Sequence, residues 1–249
     1  GMDKQTLMPA INKGKAYYAM QTNLWLAEMI YHVSDFLTAL FLVFLALGVM
    51  RLIFMYVLMI REKRAENQRH YAPIDAATAP TVSIIVPGYN EEVNIVRTIT
   101  TLKQQDYPNL HIYFVDDGSK DHTLERVHEA FDNDDTVTVL AKKNGGKASA
   151  LNYGIAACRS EYVICIDADT QLKNDAVSRL MKHFIADTEK RVGAVAGNVK
   201  VGNQRNMLTY WQAIEYTSSQ NFDRMAYSNI NAVTVVPGAI GAFRKEVIE

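Results

Sequence analysis

Between Phe36 and Ile60 the chain reads FLTALFLVFLALGVMRLIFMYVLMI, twenty-five residues in which Arg51 is the only charge. No polar stripe divides the run, and as a helix it is roughly 37 Å long, enough to cross a bilayer. Arg51 stands nine residues before the end, within snorkelling reach of the following interface. The run is too long, begins too late and lacks a small-x-small exit for a cleavable signal peptide. Residues 16 to 35 hold no Lys or Arg, whereas Arg61, Lys63, Arg64 and Arg69 follow the run, so the part after residue 60 is expected on the cytoplasmic side. Leu24 to Val33, with Tyr17, Tyr18, Trp25 and Tyr31 around it, suits an interfacial segment or the end of a longer helix. The expected division is an extracytoplasmic or interfacial segment (1–35), a transmembrane helix (36–60) and a linker (61–80), charged at first and then rich in Ala, Thr and Pro.

From Thr81 the pattern changes to apolar runs alternating with amphipathic stretches. Strands are expected at Thr81–Val86, Leu110–Val115, Thr136–Leu140, Val192–Ala196 and in the run from Tyr162 that stops at Asp167. Helices are expected at Glu91–Gln105, Asp121–Phe131, Lys147–Cys158 and Asn174–Ala186, each with apolar residues at helical spacing. Strands such as Tyr162-Val163-Ile164-Cys165-Ile166 show no polar alternation, as in a sheet buried on both faces. The rhythm specifies an α/β fold with a mainly parallel sheet. Asn206–Arg224 reads as a further helix and Val233–Val236 as a further strand. Pro237 to Arg244 reads as a small-residue turn ending on an aromatic and a cation.

At 249 residues the chain can hold one large domain with an appendage. Its net charge of -1 gives no basic field to recommend nucleic acid as a partner. The six histidines are scattered, and Cys158 and Cys165 have no metal-ligand spacing, so a zinc site is not expected.

Candidate chemistry collects where strands end, the side on which such sheets bind ligands. Pro87-Gly88-Tyr89-Asn90-Glu91-Glu92 places an aromatic ring and an amide there. Asp116-Asp117-Gly118-Ser119 and Asp167-Ala168-Asp169-Thr170 bring two pairs of acids to one rim, where their repulsion calls for a cation or hydrogen-bond donors. Ala141 to Ser149 is a basic, glycine-containing loop opening a helix, suited to a phosphate through backbone amides and Lys147. It is not a Walker loop, because Ala141 stands at the first glycine and Ala148 at the magnesium-binding hydroxyl. Each stretch alone also reads as a capped turn. Together they make a nucleotide-diphosphate site.

The stretches IIVPGYNEE, VDDGSKDHT, NGGKASALNYGI, DADT and PGAIGAFR resemble, in order and approximate spacing, the processive family 2 glycosyltransferases. Within that family the chain is most similar to bacterial poly-β-1,6-N-acetylglucosamine synthases, through GAVAGNVKVGNQRN, WQAIEY and PGAIGAFR. The resemblance implies a GT-A domain over 81–249 that takes a sugar, N-acetylglucosamine in the nearest relatives, from a UDP-sugar donor with inversion. By the same resemblance the acceptor would be a polysaccharide or glycolipid at the cell inner membrane. It further implies that Pro87, Tyr89, Asn90, Glu91, Asp116, Asp117, Gly146, Lys147 and Asp167 surround the nucleotide. Asp167 and Asp169 would hold Mg2+ or Mn2+, and Gly241, Phe243 and Arg244 would face the acceptor. The family's T-E-D and Q-x-x-R-W segments fall after the position of Glu249. The general base is therefore expected beyond it, and this chain is expected to carry the donor half alone. A nonprocessive glycolipid transferase and a membrane-tethered nucleotide-binding regulator remain alternatives.

Overall fold

The computed structural model describes residues 4–198, 211, 223–229 and 240–248. Two compact units divide between Val57 and Leu58. The first is the part of helix α1 (Lys4–Gln68) up to Val57, in which every side chain from Phe36 to Phe54 is exposed. Leu24 to Val33 belongs to this same helix, and the helix continues through Arg61 to Gln68, where a linker was expected. Glu66, Ala65 and their neighbours favour helix, and irregular chain with a turn at 76–78 follows from residue 69.

In the second unit the last turns of α1 are tied to the domain by side chains. Glu66 accepts from Tyr71 Oη (2.8 Å) and from Lys182 Nζ (2.7 Å), while the Tyr71 hydroxyl lies 3.0 Å from His183 Nδ1. Burial, reinforced by Glu66, pushes the Tyr71 phenol up to about 12, and burial holds His183 below its ordinary value.

The sheet follows the apolar runs. Strands β1 (Val82–Gly88), β2 (Leu110–Asp116), β3 (Val137–Ala141) and β4 (Tyr162–Ile166) run parallel to one another. Strands β5 (Ala194–Ala196) and β6 (Ile240–Arg244) complete it, giving the order β3-β2-β1-β4-β6-β5 among the described residues. Helices α2 (Ile95–Lys103), α3 (Thr123–Phe131) and α5 (Ala176–Ala186) pack through Ile99, Val127 and Met181 into the larger core, with Ile84, Phe114 and Ile164 from the sheet. The opposite face is smaller, with Ile85, Val115 and Val163 under Ala150 of helix α4 (Lys147–Ala157). Gly154 lets α4 approach: a Cβ there would stand 2.5 Å from Ile85 Cγ2 and 3.0 Å from Val115 Cγ2. Two short helices, α6 (Asp223–Asn229) and α7 (Lys245–Ile248), flank β6.

Several expectations shift. Pro87 and Gly88 belong to β1 and pair with Val115 and Asp116, so they form a strand end and not a turn. The stretch read as a small-residue turn is, from Ile240 to Arg244, strand β6, antiparallel to both β4 and β5. Small side chains at Gly241 and Ala242 suit a strand enclosed between two others. The expected helix Asn206–Arg224 lies outside the described residues apart from 211, 223 and 224, and the expected strand Val233–Val236 lies wholly outside them.

Candidate active site

Because β1, β2 and β4 are parallel, their carboxyl ends share one rim, and the loop after β1 is hydrogen-bonded to the one after β2. Asn90, after β1, has a left-handed backbone with φ of 56°. Its N–H donates to Ser119 Oγ (2.9 Å) and its Oδ1 accepts from the Lys120 N–H (2.8 Å). The Glu91 N–H donates to Thr123 Oγ1 (2.8 Å). Asn90 and Glu91 thus fasten the first loop to the second, which leaves Tyr89 as the exposed ring beside them.

The two acids at the end of β2 are both buried but have different surroundings. Asp116 Oδ2 accepts from the N–H groups of Gly118 and Ser119 (both 3.1 Å), while its buried Oδ1 has no hydrogen-bond partner. An orphaned carboxylate oxygen at the rim is an acceptor ready for a ligand N–H or O–H. Asp117 is fully engaged. Oδ1 accepts from Lys142 Nζ (2.6 Å) and the Gly145 N–H (3.0 Å), and Oδ2 from the Gly146 N–H (2.7 Å). Burial pushes the Asp117 carboxyl up, but these donors outweigh it and hold it below the usual carboxylate range. With its folded value lowered, the stabilisation it brings is full at neutral pH and is lost as pH falls through that lowered value.

This alters one expectation. The amides of Gly145 and Gly146 were expected to face a diphosphate, and here both face Asp117. The N–H groups open to an anion lie one step on. The first α4 bond runs from the Ala150 N–H to Gly146 O (3.1 Å), so Lys147, Ala148 and Ser149 occupy the turn whose donors have no intrahelical acceptor.

After β4, Asp167 is half-buried, and its Oδ1 meets Lys147 Nζ in an ion pair without the angle of a hydrogen bond. Asp169 is exposed and takes no partner among the described residues. The turn between them is held from below: Thr98, buried on α2, donates to the Ala168 carbonyl (2.7 Å), and the Thr170 N–H bonds to Asp167 O (3.0 Å). Neighbouring Cys165 is pushed up to about 11, first by burial, so it stays a thiol.

Two carboxylates offer hard oxygen ligands, and no cluster of three or more His, Cys, Asp or Glu exists among the described residues. That donor set fits Mg2+ or Mn2+, which bind through one or two carboxylates and complete their shells with phosphate oxygens and water. Thr98→Val, which deletes the hydroxyl at nearly constant size, is expected to cost about 1–2 kcal/mol, because the Ala168 carbonyl loses its donor. It should also weaken Mn2+ binding several-fold in a spin-resonance titration, with Thr98→Ser restoring it.

The residues expected at the acceptor side divide. Gly241 pairs with Cys165 near the carboxyl end of β4, but Phe243 pairs with Val163 and Arg244 with Tyr162, toward its start. Arg244 is therefore at the end of β4 away from the rim. It is 1% exposed, and its Nη2 and Nε donate to Asp187 Oδ2 (3.2 Å) and Val192 O (2.9 Å). An arginine after an aromatic looks in sequence like a ligand contact, but here antiparallel pairing carries it into the fold. Thr98 and Lys142 were not singled out by sequence. The only local trace of Thr98 is a threonine on the apolar stripe of its helix.

Residues 83–249 match the model for glycosyl transferase family 2. Poly-beta-1,6-N-acetyl-D-glucosamine synthase of Staphylococcus epidermidis is 33% identical over 168 residues, 68% of this chain and 40% of that protein. The enzyme of the same name from Staphylococcus aureus strain COL is 32% identical over 167 residues, 67% of this chain and again 40% of the relative. The chain thus spans about two fifths of these relatives' length. Among solved structures, a mannosyltransferase from Pyrobaculum calidifontis in complex with GDP-Man and Mn2+ superposes with a TM-score of 0.59 and 27% identity, over 82% of this chain and 56% of that one. A mostly parallel α/β sheet of the GT-A type, with its acids on one rim and a match across two thirds of its length, makes this chain a member of glycosyl transferase family 2.

Proposed function

We propose that the chain carries the donor half of an inverting, membrane-anchored polysaccharide synthase that uses a UDP-sugar, with UDP-N-acetylglucosamine as the favoured donor. The observation carrying this reading is the composition of the rim. An orphaned Asp116 oxygen, a lysine at a helix N-terminus and the exposed Asp169 stand on loops cross-linked to one another. The Staphylococcus relatives support the choice of sugar, and the Mn2+ in the mannosyltransferase complex supports a metal here.

In this reading Tyr89 packs against the base, and Asp116 Oδ1 accepts a hydrogen bond from the nucleoside. The first-turn amides of α4 and Lys147 face the diphosphate, where fixed positive charge stabilises the leaving group as the glycosidic bond to phosphate breaks. Asp167 and Asp169 hold the cation, with Lys147 leaving its ion pair to Asp167 as the donor enters. A bound Mg2+ or Mn2+ supplies Lewis acidity toward the departing diphosphate. The apolar side chains of α1 over 36–60, exposed from Phe36 to Phe54, cross the membrane in this reading, and the catalytic unit lies on its cytoplasmic side, joined through the end of α1 and residues 69–81.

Calorimetric titration of the chain in detergent tests the donor assignment. UDP is expected to bind only with Mn2+ or Mg2+ present, and GDP at least ~10-fold more weakly, about 1.4 kcal/mol of discrimination. Equal affinity for the two, or metal-independent binding, would refute it.

A further inference from the structure

We propose that Asp117 is a positioning residue, the latch that folds the 142–146 loop into place, and that nucleoside recognition falls to its neighbour Asp116. Asp117 is 4% exposed, and both its oxygens are taken by donors from the loop after β3, at Lys142, Gly145 and Gly146. The loops are also in steric contact. A Cβ at Gly118, whose φ is +74°, would stand 2.8 Å from the Asn144 nitrogen. Lys142 completes the fastening by donating to the Lys143 carbonyl as well (2.7 Å). The Asp117 N–H itself continues the sheet, bonding to Gly88 O (2.9 Å). Both Asp117 oxygens thus have protein donors, whereas Asp116 Oδ1, buried like them, has none.

The chemistry of the latch is specific to a carboxylate. An asparagine at 117 offers one acceptor oxygen and turns an NH2 group toward backbone N–H donors, so at least one buried donor loses its partner. The loop that sets the start of α4, and with it the direction of Lys147, is then released. The part of this inference that concerns nucleotide rests on the donor-site reading proposed above, whereas the latch itself does not.

The test is Asp117→Asn in the full chain, with Lys142→Met as a milder second variant that leaves the carboxylate in place. Hydrogen exchange of the peptide covering residues 142–148, in protein without nucleotide, is expected to lose protection at Gly145 and Gly146 by at least ~10-fold in Asp117→Asn and by less in Lys142→Met. With Mn2+ present, UDP and inorganic pyrophosphate should lose affinity by the same factor in Asp117→Asn, because pyrophosphate has no base or ribose and senses only the loop. Unchanged exchange at 145 and 146, together with a loss confined to UDP, overturns the proposal and makes Asp117 a nucleoside ligand. Wild-type protein that binds neither UDP nor pyrophosphate overturns the donor-site reading, and the exchange measurement then still decides the latch.

Discussion

Asp169→Asn is expected to lower metal-dependent affinity for UDP by ~100-fold, the top of the range for losing a metal's supporting groups. Asp169 is exposed and has no protein partner among the described residues, so the substitution removes no structural contact and leaves the fold intact. In the proposed site it removes an anionic oxygen from a pair of carboxylates that no larger His, Cys, Asp or Glu cluster supplements among the described residues. Asp167→Asn should be milder for the metal but should also free Lys147, whose ion pair it destroys. The comparison is made by titrating UDP at fixed Mn2+ and again in chelator. Equal affinities for wild type and Asp169→Asn with metal present would remove Asp169 from the metal site.

The second large effect lies at the other end of β4. Arg244→Ala is expected to destabilise the second unit by about 3 kcal/mol, in the range for breaking a buried ion pair on one side. The guanidinium donates to Tyr162 Oη (2.8 Å), Asp187 Oδ2 (3.2 Å) and Val192 O (2.9 Å), and its carbon lies 5.3 Å and 5.6 Å from the ring centres of Tyr162 and Phe184. Asp187, against the upward push of burial, is held below the usual carboxylate range by the backbone of Val192 and Arg191 and by Arg244. Removing the arginine leaves that carboxylate, 12% exposed at its side chain, without its countercharge. Arg244→Lys should recover only part of the loss, since an ammonium lacks the planar fork that reaches a hydroxyl, a carbonyl and a carboxylate together. Chemical denaturation monitored by near-ultraviolet circular dichroism of the domain's tyrosines and phenylalanines reads the difference. An acceptor-side arginine would instead give a variant of unchanged stability with altered transfer.

The alternating apolar runs were enough to place β1 to β4 and the helices between them, because continuous burial on both faces leaves a plain signature in sequence. Boundaries moved where side chains reach across loops. Helices α2 and α3 start later than their periodicity suggests, because Glu91, Glu92 and Asp121 spend their groups on the neighbouring loop. Strand β6 was misread for a different reason. Gly241 and Ala242 carry no local strand preference, and what makes them a strand is pairing with residues almost eighty positions earlier. The site shows the same division. The acids and Lys147 were legible as residue types at strand ends, whereas the separate duties of Asp116 and Asp117 depend on which loop folds over which, and the motif shared by the pair is silent on that.

The close seating of α4 at Gly154 has a consequence for the whole rim. A helix of eleven residues moves as a rod, so its tilt on Ile85 and Val115 and the aim of Lys147 at its tip are a single variable. The reach of the site's cation is therefore tuned from the oily side of the sheet. Repacking beneath α4 is a route by which donor affinity can drift between relatives while every polar residue of the rim stays the same.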